Sequence, residues 1–226
     1  MTYFQNIPIF LRDGFVGSKN HMPLQRCFQT SYANIVQRRN STDFFTPCNS
    51  SVNDFVPFYF SPLTKMAYTI HAGNVHLVNP NGLDLGIANM QDLVFLVCDV
   101  TKIAANNLHF WFSDVACNTL SQIPKYDNDL NNLDAHVDWH VFDEQPIRAS
   151  IPQIGYPGVC QWQHDTDSRP NRASKRMAEF LVKDVLPLEV LECIVVKRDE
   201  IKIQIENWLS ESDINIPVYT NTGCYY

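Results

Sequence analysis

Apolar and polar residues alternate in short blocks along this chain, and few blocks are longer than six residues. Apolar or aromatic positions at Phe28, Tyr32, Ile35 and Val36 recur at helical spacing, which predicts a helix over about 29–39 that ends on Arg38 and Arg39. Residues 7–12 read as a helix, 63–72 as a short one, and 198–210 as an amphipathic one with Ile201, Ile203 or Ile205, and Leu209 facing inward. Strands are predicted at 56–60, 75–78, 93–98, 109–112, 179–182 and 193–196, where β-branched and aromatic residues cluster. Leu120, Ile123, Leu130 and Leu133 predict a further short helix within 116–138. The stretch 143–171 is rich in proline and lacks periodicity, so it reads as a long irregular loop. Helices and strands mix without regular βα alternation, which is an α+β pattern.

At 226 residues the chain fits one domain, 1–226, and its hydrophobic fraction of 45% supplies a sizeable core. No apolar run approaches the ~20 residues that span a bilayer, and the first residues lack the features of a signal peptide. Seven scattered cysteines without a C-x-x-C pair suit free thiols in a reducing cytoplasm. A net charge of −7 argues against a broad duplex-binding surface. Arg172, Lys175 and Arg176 nevertheless form a basic cluster, compatible with a narrow channel for a single strand.

One residue breaks the strand pattern. Glu179 stands alone in the apolar run Ala178-Glu179-Phe180-Leu181-Val182, and a buried carboxylate without partners costs several kcal/mol. Either Glu179 caps a strand edge or pairs with Lys175 or Lys183, or it is a general base. Arg38 and Arg39 are either a helix-end charge pair or a guanidinium site for a phosphate or carboxylate. Tyr59 in Phe58-Tyr59-Phe60 points away from its neighbours and can stack on a planar ring. His136 and His140 lack an obvious third metal ligand, and Asp165, Asp167, Glu179 and Lys183 miss the usual nuclease spacing. No Walker loop, dinucleotide-binding glycine fingerprint or G-x-S-x-G is present.

Several blocks together resemble the DarT family of NAD-dependent DNA ADP-ribosyltransferase toxins. They are Asn6-Ile7 with Phe10-Leu11-Arg12-Asp13-Gly14, Gln37-Arg38-Arg39, Asp54-Phe55-Val56-Pro57-Phe58-Tyr59-Phe60-Ser61-Pro62, Met66-Ala67-Tyr68, Val137-Asp138-Trp139, Lys175-Arg176-Met177-Ala178-Glu179-Phe180-Leu181-Val182 and Tyr225-Tyr226. The resemblance implies an ADP-ribosyltransferase-like split β-sheet core with an NAD cleft and peripheral helices. It implies that Glu179 and Arg39 are catalytic, and that Thr2, Asn6, Arg39, Tyr59 and Met66 contact NAD. NAD would be a substrate, no metal would be needed, and a macrodomain antitoxin like DarG would be the partner. The acceptor would be a base of single-stranded DNA, thymidine first and guanine as rival, with RNA, protein or a silent NAD- or DNA-binding role as alternatives. The loop 143–171 occupies the place of the acceptor-recognition segment, so Tyr156 and Trp162 would stack on bases while Arg172, Lys175 and Arg176 follow phosphates. Two departures stand out. The family's H-x-T element would place a histidine just before Met1, so the resemblance implies either an upstream start or a lost nicotinamide-side contact, and Ala116 stands where some members carry histidine.

Overall fold

The computed structural model describes residues 1–21, 25–31, 33–41, 44–120 and 122–226, with the side chains of residues 33 and 34 left aside. Two four-stranded sheets form its centre. The first runs in the order Thr2–Tyr3, Leu93–Cys98, Leu191–Val196, Val218–Thr220, antiparallel except for its last pair. The second runs Phe55–Tyr59, Glu179–Lys183, Phe110–Ser113, Tyr126–Asp127 and is antiparallel throughout. This is the expected split-sheet α+β core.

Leu93–Cys98 and Glu179–Lys183 have neighbours on both sides, so their apolar runs are covered rather than alternating with water. Phe112, Phe180 and Val182 of the second sheet join Val94, Ile194 and Val196 of the first in one buried cluster. Helix Asp199–Glu211 closes that cluster with Ile201, Ile205 and Leu209, leaving Ile203 on the solvent side at 57% exposure. Asp199 and Glu200 sit in its first turn, where the helix dipole favours negative charge. The Tyr225 hydroxyl ties the first sheet together, lying 2.9 Å from the Leu93 carbonyl and 3.0 Å from that of Val195.

Three expectations change. The helix expected over 29–39 covers Ala33–Arg39, because Gln29 is instead bridged to Val78; Tyr32 lies outside the described residues. The short helix expected within 116–138 forms only at its end, as Leu130–Asn132 and Leu133–His136, and not around Leu120 and Ile123, whose side chains are 77% and 89% exposed. Pro124 cannot extend a helix through Ile123, and the described residues 122–125 run without helix into the strand Tyr126–Asp127. The segment 143–171 is anchored, not loose. It holds the strand pair Ile147–Arg148 and Val159–Cys160 and buries Ala149, Ile151 and Val159.

All seven cysteines are free, and Cys48 alone is exposed. Desolvation raises its thiol, but hydrogen bonds with Thr46, Ser50 and Trp111 bring it below its ordinary value. Burial pushes Cys27 and Cys193 up to about 11 and Cys98 up to about 12. Alkylation of the native protein at neutral pH is therefore expected to show one fast thiol that Cys48→Ser removes; several fast thiols would contradict this packing.

Candidate active site

Glu179 opens the second strand of the second sheet, opposite Tyr59 in register, and is 0% exposed. Its carboxylate is satisfied by a residue 140 positions away. Arg39 donates from Nη1 to Oε1 at 3.0 Å and from Nη2 to Oε2 at 2.7 Å, a two-bond fork. The backbone N–H of Cys117 adds a third bond to Oε1 at 3.0 Å. Oε1 thus has two donors and Oε2 has Arg39.

Local sequence explains why these groups meet. Arg39 ends helix Ala33–Arg39, whose last carbonyls need partners. The Ser51 hydroxyl donates to the Arg39 carbonyl at 3.0 Å, and the Asn53 amide to that of Val36 at 2.7 Å. Ser51 and Asn53 directly precede the strand Phe55–Tyr59, so the helix end is pinned to the strand beside Glu179. On the other side, Ser113 donates to the Val115 carbonyl at 2.7 Å and accepts from the Glu179 N–H at 3.0 Å. That turn presents the Cys117 amide to the carboxylate.

Burial works against the Arg39 charge, but Glu179 more than offsets it and leaves the guanidinium above its ordinary value. Burial and then the Glu179 charge push the Tyr59 hydroxyl up, with Arg39 opposing, so Tyr59 stays a neutral phenol.

A cavity of 730 Å³ opens between the two sheets. Phe95–Cys98 and Val195 line it from the first sheet, and Phe55–Tyr59 and Phe180 from the second. Arg39, Tyr59, Thr2, Asn6 and Met66 all reach its wall, so the structure gathers the five residues expected to contact the dinucleotide. Glu179 sits behind Arg39. Asn6 has its polar atoms turned inward: the amide donates to Thr2 Oγ1 at 2.9 Å and the Phe28 carbonyl at 3.0 Å, and accepts from the Phe28 N–H at 2.7 Å. It shapes the wall by clamping two segments together.

The acceptor-side residues separate. Tyr156 lines the cavity, its hydroxyl donating to the Phe60 carbonyl at 3.3 Å. Trp162 is half-buried, and its indole N–H donates to the Gln145 carbonyl at 3.0 Å. Lys175 is one-third exposed and pairs with Asp138 at 2.7 Å.

Arg172 and Arg176 do not follow phosphates as expected. Arg172 is 2% exposed and paired with Glu144. Arg176 is 0% exposed, with its guanidinium donating to the carbonyls of Val141, Leu63 and Cys160 at 2.9 to 3.0 Å and lying 4.9 Å from the Phe142 ring centroid. Its charge organises backbone by gathering three carbonyls, of which Leu63 also accepts from Gln163 and Val141 from the Cys160 thiol. Arg176→Ala is expected to destabilise the fold by roughly 3 kcal/mol or more, because it removes three hydrogen bonds from a buried charged group, each worth about 1.5–3 kcal/mol. Thermal unfolding checks this; an unchanged midpoint with weaker DNA binding would restore the phosphate role.

Sequence reasoning missed Lys19, Ser113 and the Cys117 amide. None belongs to a spaced motif, and only the tertiary fold brings them to the site. Among the described residues no group of three or more His, Cys, Asp or Glu is placed to hold a metal ion.

Comparison with known proteins finds relatives that share this fold. The family model described as ssDNA thymidine ADP-ribosyltransferase, DarT, matches residues 1–226. A DNA ADP-ribosyl transferase of Escherichia coli O127:H6 is 24% identical over 227 residues, spanning 100% of this chain and 91% of the relative. The structure of Thermus sp. 2.9 DarT in complex with ADP-ribosylated ssDNA superposes with a TM-score of 0.79 at 22% identity, covering 100% of this chain and 93% of that one. The same protein in complex with NAD+ gives 0.75 at 21% identity, covering 100% and 94%. Thermosipho africanus DarTG in complex with ADP-ribose gives 0.63 at 19% identity, covering 100% of this chain and 50% of that one.

Proposed function

The chain belongs to the DarT family, and from that premise we propose that it transfers ADP-ribose from NAD to a thymidine base of single-stranded DNA and releases nicotinamide. The observation that carries this reading is Glu179, fully buried and held by the Arg39 fork beside a cavity between two sheets. A carboxylate paired with a cation, next to apolar walls, suits a reaction that develops positive charge on a sugar.

NAD lies in the cavity against Tyr59 and Met66, with Phe28, Phe60 and Trp139 offering ring surfaces. The bond between nicotinamide and ribose breaks, and its electron pair leaves with neutral nicotinamide. The sugar carbon becomes oxocarbenium-like and is attacked by a base nitrogen, which passes its proton to a carboxylate. Oε2 of Glu179 is the oxygen for that task. Oε1 keeps the Cys117 amide, whereas Oε2 is freed when Arg39 turns towards substrate. Within thymidine, the ring nitrogen that carries a proton is N3, and duplex pairing engages it. A preference for single strands follows from that chemistry.

The acceptor strand passes along 143–171, where Tyr156 and Trp162 stack on bases and Lys175 meets phosphate. The protein acts in the cytoplasm, where NAD and single-stranded DNA are both present, and its partner is a DarG-like macrodomain antitoxin. The single domain spans 1–226.

Nicotinamide release, followed chromatographically with NAD and defined nucleic acids, tests the reading. Release is expected with a thymidine-containing single strand, weakly with its duplex, and unchanged by a chelator. Release driven by RNA or protein instead, or none with any strand, would overturn it.

A further inference from the structure

Two charged side chains line the cavity among the described residues, Arg39 and Lys19, and both are cations. Arg39 has both terminal nitrogens on Glu179. Lys19 is held differently. Its ammonium donates to Gln29 Oε1 and, at 3.4 Å, to Ser31 Oγ, which are neutral oxygens. No carboxylate among the described residues forms an ion pair with it.

The position is built rather than incidental. The strand Phe15–Gly17 pairs with Val185–Pro187, and the Ser18 N–H donates to the Asp184 carbonyl at 2.7 Å, fixing the chain on either side of the turn into Lys19. Gln29 is fixed too, exchanging backbone bonds with Val78 at 2.8 and 2.9 Å. Burial, and then the nearby charge of Arg39, lower Lys19 from its ordinary value, with the Cys27 thiol pulling the other way. A partly buried ammonium without a counter-charge is a costly arrangement that an anion would relieve.

We propose that Lys19, presented by Gln29 and Ser31, is the phosphate-binding cation of this cavity and holds the diphosphate of the dinucleotide substrate. The inference rests on the function proposed above. A diphosphate brings two negative charges into a cavity whose wall carries no carboxylate among the described residues. Both terminal nitrogens of Arg39 rest on Glu179 here, so among the described residues Lys19 is the cation on this wall without a carboxylate partner. An ammonium is a compact point charge that needs no bidentate geometry to hold a phosphate oxygen.

The test compares the full chain with Lys19→Met, Lys19→Gln and Lys19→Arg, titrated with NAD, ADP and inorganic pyrophosphate. Thermal midpoints identify which variants are folded. Lys19→Met and Lys19→Gln are expected to bind NAD and ADP about ten- to hundredfold more weakly, and Lys19→Arg to recover most of the loss. KM for NAD should rise with kcat nearly unchanged, and the salt dependence of NAD affinity should flatten. NAD bound equally by the full chain and the folded uncharged variants would overturn Lys19 and leave the proposed reaction standing. Pyrophosphate bound through Lys19 without any NAD binding would do the reverse. Binding of neither ligand would remove both.

Discussion

Glu179→Gln is expected to slow ADP-ribosyl transfer by about a thousandfold or more while NAD still binds. Gln keeps the volume of the side chain and an oxygen for the Cys117 amide, so the strand and the turn beside it survive. What it loses is the negative charge beside the forming sugar cation and the proton acceptor for the base. Its NH₂ group also faces an Arg39 nitrogen, donor against donor, so one of the two fork bonds is lost. Glu179→Ala removes more. It strands a buried guanidinium, which costs about 3–5 kcal/mol and lowers the thermal midpoint by roughly 6–20 °C. Activity is therefore best read from Gln, and the strength of the ion pair from Ala. A Glu179→Gln protein that modifies DNA at the wild-type rate would sink the assignment.

Arg39→Ala is expected to be as damaging, for the mirror-image reason. It leaves a carboxylate at 0% exposure with the Cys117 amide and no cation, again costing about 3–5 kcal/mol, and transfer should fall below detection. Arg38, one residue earlier, is exposed, so Arg38→Ala is expected to stay within about 0.5 kcal/mol of wild type and to keep its activity. Arg39→Lys should fall between them, since an ammonium can reach one oxygen but cannot make the fork. Paired measurements of unfolding and transfer rate decide the matter; equal damage from Arg38→Ala and Arg39→Ala would refute the geometry.

Much of the second sheet was legible because its strands are apolar runs with few interruptions. Glu179 announced itself by interrupting one of them, and the register opposite Tyr59 follows from two such runs lying side by side. Which of two adjacent arginines would face it was not written locally, because the partners lie 140 residues apart and helix phase decides. Arg172 and Arg176 misled because a run of cations reads as a solvated surface. Backbone carbonyls, which the sequence does not display, are what hold Arg176. Leu120 and Ile123 have helical spacing, yet spacing alone does not supply a face to pack against, and both stand in solvent. The strands Thr2–Tyr3 and Val218–Thr220 are too short to carry any period, although both extend the first sheet. Lys19 gave no signal, since its neighbours Gln29 and Ser31 meet it only once the fold is made.

The most direct measurement is the intact mass of short single strands incubated with NAD and either the wild-type protein or Glu179→Gln. A strand bearing one thymidine should gain one ADP-ribose with the wild-type protein and none with the variant, and the same strand with that thymidine replaced should gain none. Modification that follows guanine rather than thymidine, persists in Glu179→Gln, or fails on every strand would contradict it.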